Sequence, residues 1–352
     1  MKNKTKGVMA KLPSRWQYLP VMLFLFIGME SCSTRSSDKE QTIPSRIPVP
    51  VIFDTDMGPD YDDVGALTLL HALADRNEAT ILATVSSNMY EYTALCIDVI
   101  NTYYGRAEIP IGTPSQGVYF ENEHQEKWAE ALPAQFPHTN DSSTQLPDAV
   151  QVYRRILANE PDSSVVVVTV GFLTNLAHLL QSPPDPYSNL DGKQLVSQKV
   201  KCLVSMAGHF PQGREWNVYC DSTASIIVFN EWPTPIIFSG WEIGERILTG
   251  KRLIASDIPN TPAKVAYTIA LRQDNPEGRQ SWDQTAVLVA IKGIDPYFNT
   301  VKGRIMVHPD GSNSWQDDPD GKHQYLTNKM PIGDLSEMIE DWMMHIKMIQ
   351  TN

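Results

Sequence analysis

Short β-branched runs alternate with helix-length stretches along most of this 352-residue chain, and few architectures accept that pattern. Strands are expected over 51–54, 81–86, 165–170, 200–205 and 235–238. Helices are expected over 64–74, 92–104, 148–159, 174–181 and 222–230, with two more over 263–272 and 284–292. Such alternation builds parallel strand pairs, because a parallel return needs a crossover and a helix usually provides it. The expected fold is therefore α/β: one domain over residues 48–352, with an open, mostly parallel sheet flanked by helices. The tail reads differently. Residues 303–308 and 324–327 suggest a hairpin joined by the turn-rich segment 309–321, and a last helix is expected over 335–349. The long irregular stretches 116–146 and 183–193 are expected on the surface.

The first strand runs straight into Asp54, Asp56, Asp60, Asp62 and Asp63, five carboxylates within ten residues. Like charges that close repel, and a hard divalent cation such as Ca²⁺ or Mg²⁺ offsets them best. Acidic runs are usually solvated surface. Here the run follows a buried strand and precedes a helix, which is where open α/β sheets place their ligands, so it reads as a metal site. Other polar groups also fall at strand ends: Ser86, Ser87 and Asn88, the segment 169–175, Gly208 and His209 leading to Glu215 and Asn217, and Asp283 after Trp282. Asn and Glu side chains can fork onto vicinal hydroxyls of a sugar. Each residue also has a plainer role open to it. Asp62 and Asp283 suit helix caps, Asn88 suits a turn, and Trp282 suits a core.

A net charge of −12 with a pI near 5.1 excludes a nucleic-acid backbone as partner, since that needs a basic face. Lys2, Lys4, Lys6, Lys11 and Arg15 precede the short apolar run 21–27, and Ser31 precedes Cys32. That order reads as a lipoprotein-type signal over 1–31, with Cys32 as the lipidation site and 32–47 as a flexible tether. The expected location is the periplasm or outer membrane of a bacterium, with a lipid anchor as the membrane contact. Cys96, Cys202 and Cys220 are too scattered for a disulfide framework and read as small hydrophobes.

With these residues in view, the chain resembles the inosine-uridine preferring nucleoside hydrolases, calcium-dependent N-ribohydrolases that separate a base from ribose. Asp54, Asp56, Asp62 and Asp63 stand in the places of that family's acidic signature. Residues 169–175 look like its central strand and turn, Glu215 and Asn217 like its ribose-binding pair, and Asp283 like its late metal ligand. The resemblance covers essentially all of 48–352 and implies a Rossmann-like sheet in the nucleoside hydrolase fold. It implies Ca²⁺ held by Asp56, Asp63, Asp283 and the carbonyl of Val170. It makes Asp56 the general base on the attacking water, with Asp62, Asn88, Glu215 and Asn217 on the sugar hydroxyls. A nucleoside or related N-riboside would be the ligand, and family members are commonly dimers or tetramers.

Three departures stand out. The acidic loop is two residues longer than usual, which leaves Asp60 as an extra carboxylate, expected to be solvated. Trp282 replaces a His that many members use on the departing base. An indole cannot donate that proton but can stack on a base, as purine-preferring members require. The segment between Gly208 and Glu215 is short and lacks an Asn, so Gln212 or Arg214 is a candidate substitute, and His209 a candidate for the leaving group. Two other readings stay open: a haloacid-dehalogenase-like Mg²⁺ phosphatase with Asp54 as nucleophile, and a lipoprotein that binds a nucleoside or glycoside without cleaving it.

Overall fold

The computed structural model describes residues 47–121, 127–141 and 144–347. The signal segment, Cys32 and the tether up to residue 46 lie outside the described residues. The fold begins with β1 (Val49–Thr55), whose last five residues are buried. Pro50 has no N–H to give a ladder, and it precedes Val51, where pairing on the strand's second side begins. Helix α1 (Asp62–Asp75) is buried at every residue from Asp62 to Leu73, as suits a helix apolar on all sides. There follow β2 (Ala79–Ser86), α2 (Glu91–Tyr103), β3 (Ile111–Gly112), α3 (Trp128–Gln135), α4 (Ala149–Asn159) and β4 (Val165–Thr169). Next come α5 (Thr174–Gln181), α6 (Gly192–Lys199), β5 (Val200–Met206), β6 (Gln212–Arg214), α7 (Trp216–Cys220), α8 (Ser222–Glu231), β7 (Ile236–Ser239) and α9 (Trp241–Gly244). The described chain closes with β8 (Leu248–Thr249), α10 (Lys251–Ala255), α11 (Pro262–Ala270), β9 (Arg279–Gln280), α12 (Trp282–Lys292), β10 (Phe298–Val307), β11 (Ser312–Asp317), β12 (His323–Asn328) and α13 (Ile332–Met343).

Ten strands share one sheet in the order β3-β2-β1-β4-β5-β7-β12-β10-β11-β6. All pairings from β3 across to β12 are parallel, and those among β12, β10, β11 and β6 are antiparallel. Strand residues alternate between two cores. Val51 and Phe53 pack with α1, α2, α11, α12 and α13, while Ile52 packs with α4, α5 and α8 on the other face. Helix α1 lies close to α12 and α11 because position 65 is glycine. A Cβ there would meet the Gln284 side chain and stand 2.7 Å from the Tyr267 hydroxyl.

The α/β sheet matches the sequence expectation, and the tail corrects it. The segment 309–321 holds β11, so the expected hairpin is a three-stranded antiparallel set. The last helix ends at Met343, short of 349. The stretch 116–146 contains α3, anchored by the buried Trp128 and Leu132. Cys96, Cys202 and Cys220 are free, with Cys96 buried and the others half-buried.

The strand order sets where a ligand belongs. From β1 the chain lays β2 and β3 to one side, then places β4 on the other. Crossovers leaving β1 and β4 therefore diverge, and a crevice opens at their carboxyl ends. The Val170 N–H donates to the Asp54 carbonyl at 2.8 Å, which fixes the two strand ends side by side.

Candidate active site

A cleft of about 850 Å³ opens at that switch point. Asp56, Asp63, Asp283, Val170, Asp62, Glu215, Asn217 and Trp282 all line it, so one crevice collects nearly every expected site residue. Asn88 lies beside it and is absent from the lining.

Asp54 does not face the cleft. It is fully buried behind the loop, where the Tyr153 hydroxyl and the Asn175 amide donate to its Oδ2 at 3.0 and 3.1 Å. Burial outweighs these bonds and pushes its carboxyl up to about 7. That placement suits a loop brace and removes the access a phosphatase nucleophile would need. The Thr55 hydroxyl donates to Asp63 and accepts from the Met57 N–H at 3.2 Å, which pins the turn between strand and helix. Gly171 then lets β4 close in. A Cβ on it would lie 2.5 Å from the Asp56 nitrogen and 2.8 Å from the Asp56 Cβ.

Oxygens of Asp62, Asp63 and Asp283 lie within 4.8 Å of one another. Asp56 stands outside that tightest group yet feels it. Burial, then the charges of Asp63, Asp60 and Asp62, push its carboxyl well above the usual range. Burial and neighbouring aspartates do the same to Asp63 and Asp283. Crowded oxygen donors whose ionisation is suppressed by mutual repulsion fit a hard cation, which would restore the charged forms.

Arg279 also lines this cleft, and no motif marks it. Its Nε and Nη2 both donate to Asp62 Oδ1, at 3.0 and 2.9 Å, and the Asp283 N–H reaches Asp62 Oδ2 at 3.4 Å. Asp62 is thus engaged by a buried guanidinium, and it does not cap its own helix. Asp60 is half-exposed and pairs with the same Nη2 at 2.9 Å, which gives the loop's extra carboxylate a partner. An isolated Arg carries no motif. The available signal was the loop's charge imbalance, which calls for a cation from elsewhere in the chain.

Glu215 accepts from the N–H groups of Asn217, Val218 and Gly208 at 2.7, 3.2 and 3.1 Å. Burial still raises its carboxyl to about 7. The Asn217 amide donates to the carbonyls of Val170 and Met206 at 3.0 and 3.3 Å, tying the ends of β4 and β5 together. Asn88 is fully occupied by backbone. Its Nδ2 donates to the carbonyls of Asp56 and Phe120 at 3.3 and 2.7 Å, and its Oδ1 accepts from Tyr90 and Phe120 at 3.1 and 3.0 Å.

The cleft wall is aromatic. Trp282 donates its indole N–H to the Trp241 carbonyl at 2.6 Å and stacks on the Trp241 ring at 6.4 Å. Phe120 and Trp216 also line the cleft, in edge contact at 5.2 Å. His209 packs on Trp241 and does not line the cleft, nor do Gln212 and Arg214. Arg214 instead lies over Tyr219 at 3.6 Å.

An acidic floor and an aromatic wall at the carboxyl edge of a parallel sheet define an α/β small-molecule site. Residues 51–327 match the model of the inosine-uridine preferring nucleoside hydrolases, and the chain belongs to that family. It is 25% identical over 206 residues to the pyrimidine-specific ribonucleoside hydrolase RihA of Citrobacter koseri, covering 55% of this chain and 61% of that protein. The RihA of Photobacterium profundum is 27% identical over 203 residues, covering 56% and 62%. The chain thus spans about three fifths of these relatives' length. Among solved structures, a purine-preferring ribonucleoside hydrolase from Gardnerella vaginalis shares the fold with a TM-score of 0.63 at 17% identity, covering 84% of this chain and 99% of that one. A plant nucleoside hydrolase does so with a TM-score of 0.63 at 19% identity and the same coverage.

Proposed function

We propose that this protein hydrolyses the N-glycosidic bond of ribonucleosides to free base and ribose, with Ca²⁺ bound by Asp56, Asp63, Asp283 and the Val170 carbonyl. The observation that carries the reading is that Asp56, Asp63, Asp283 and Val170 line one cleft. Bound there, the ion would polarise an attacking water. Asp56 would accept the water's proton, since an ion that offsets its burial and its acidic neighbours leaves it as the carboxylate. Glu215 and Asn217 flank the same floor and orient the sugar hydroxyls. Asp62 contributes through Oδ2, since Arg279 holds its Oδ1. Asn88 acts from behind by holding Asp56 and Phe120. As positive charge develops on the sugar ring, the surrounding carboxylates stabilise it.

No His or Lys lines the cleft among the described residues, while Trp282, Trp241, Phe120 and Trp216 do. That wall supports purine bases, held by stacking, over pyrimidines. The test is release of free ribose by the full chain from purine and pyrimidine nucleosides, with and without a chelator. Ribose from purine nucleosides that stops on chelation is the expected result. Ligand binding without ribose release would show a binding protein, and turnover of phosphate esters alone would show a phosphatase.

We also propose that residues 1–31 are a lipoprotein signal, that Cys32 carries a lipid, and that 32–47 tether the domain in the periplasm or to the outer membrane of a bacterium. Support comes from the basic-then-apolar order before Cys32. Loss of membrane fractionation in Cys32→Ser would test it. Assembly as a homodimer or homotetramer is part of the same proposal, checked by light scattering.

A further inference from the structure

Six aspartates line the cleft, and one fixed cation stands among them. Arg279 is the only Lys, Arg or His among the described lining residues. By distance alone Asp62 is as able to hold a cation as Asp63 and Asp283, since their oxygens lie within 4.8 Å of one another. Arg279 already engages one of the Asp62 oxygens. Two of its N–H groups converge on Asp62 Oδ1 at 3.0 and 2.9 Å. Its Nη2 also reaches Asp60 at 2.9 Å, and Nη1 stands 3.8 Å from Asp274.

The guanidinium is locked in that plane. Its centre lies 5.2 Å from the Tyr61 ring and 5.1 Å from the Trp282 ring. The Tyr61 hydroxyl donates to Asp274 at 2.8 Å, closing the cage. A guanidinium keeps its charge at every relevant pH and presents a rigid fork, so it behaves as a permanently bound counter-ion.

We propose that Arg279 is a positioning residue that sorts the cleft's aspartates into two sets. It keeps Asp60, Asp62 and Asp274 as its own partners and leaves Asp56, Asp63 and Asp283 to a single divalent cation. The proposal rests on the metal reading above. Without the guanidinium, Asp62 is left buried with no fixed counter-ion, and a divalent ion that binds there gains it as a further ligand.

Thermal melting of the full chain, with the metal alone as probe, tests this. Wild type and Arg279→Met, which keeps apolar bulk between the two rings, are each melted in chelator and in excess Ca²⁺. The expected result has two parts. The variant melts lower than wild type in chelator, by about 5 °C or more, and its rise on adding Ca²⁺ exceeds the wild-type rise by several degrees because Asp62 now joins the ligands. Equal melting of the two proteins in both conditions would overturn the proposal. A lower melting point with no larger calcium gain would also overturn it, by making Arg279 a brace without a sorting role. A wild type that gains nothing from Ca²⁺ sinks the metal reading itself, and the proposal with it. Should Arg279→Met not fold, Arg279→Gln, which keeps hydrogen bonding but carries no charge, decides: a calcium gain above wild type supports the sorting role, and an equal gain ends it.

Discussion

Asp56 sits where neighbouring charges oppose its own, and that sets what a neutral replacement does. Asp56→Asn removes the proton acceptor while relieving repulsion from Asp63, Asp60 and Asp62. The expected outcome is a fall in kcat/KM of at least about 100-fold, with a melting point in chelator equal to or above wild type. Ribose release and thermal denaturation check the two halves. Gly171→Ala works by geometry. The added methyl meets the Asp56 backbone and Cβ at 2.5 and 2.8 Å, so β4 must move away from the loop. Activity is expected to fall more than stability does, as compared by assay and melting. At this scale the sequence was informative wherever chemistry came with a spacing. The place of Asp56, Asp62 and Asp63 in the cleft was legible because an acidic cluster follows a strand, and that of Asp283 through the family resemblance. Arg279 was not, because its meaning lies in a fold that brings position 279 against position 62.

Strands buried on both faces were readable as β-branched runs, and β1, β4 and β5 fell close to where the pattern placed them. Strand β11 was missed. Its Ser-Asn-Ser-Trp-Gln-Asp has no apolar alternation, and the ladder to β10 defines it instead. Two-residue strands such as β3 carry no period at all. Helix α9 offers a pH test. Its Glu242 accepts from the Phe210 N–H at 3.0 Å, yet burial raises its carboxyl from an ordinary 4.5 to about 7. The folded chain therefore retains between pH 4.5 and 7 a proton that the unfolded chain releases, and this group's stabilising contribution is lost as pH rises through 7. Glu242→Gln keeps an acceptor for Phe210 and cannot ionise. Its stability relative to wild type is expected to rise from pH 5 to pH 8 by on the order of 2 kcal/mol, read from denaturant unfolding at both pH values.

Across the whole molecule, the acidic floor joins the loop after β1, the start of α1, the end of β4 and the start of α12, the first and last of them more than two hundred residues apart. An ion held there by all of them is expected to stabilise the fold against heat. At a free concentration about 100 times its Kd, the linkage contribution is about 2.7 kcal/mol, and a calorimetric scan in calcium against chelator measures it. An unchanged scan would leave the acidic cluster without its proposed ligand. The two borders of the sheet have a different consequence. On one side it ends at the two residues of β3, and on the other at the three of β6. Stubs that short give a neighbouring chain almost no backbone to zip onto, which is how a sheet avoids growing into its neighbours. Copies of this protein that associate would therefore meet through side-chain surfaces, each keeping its own ten strands to itself.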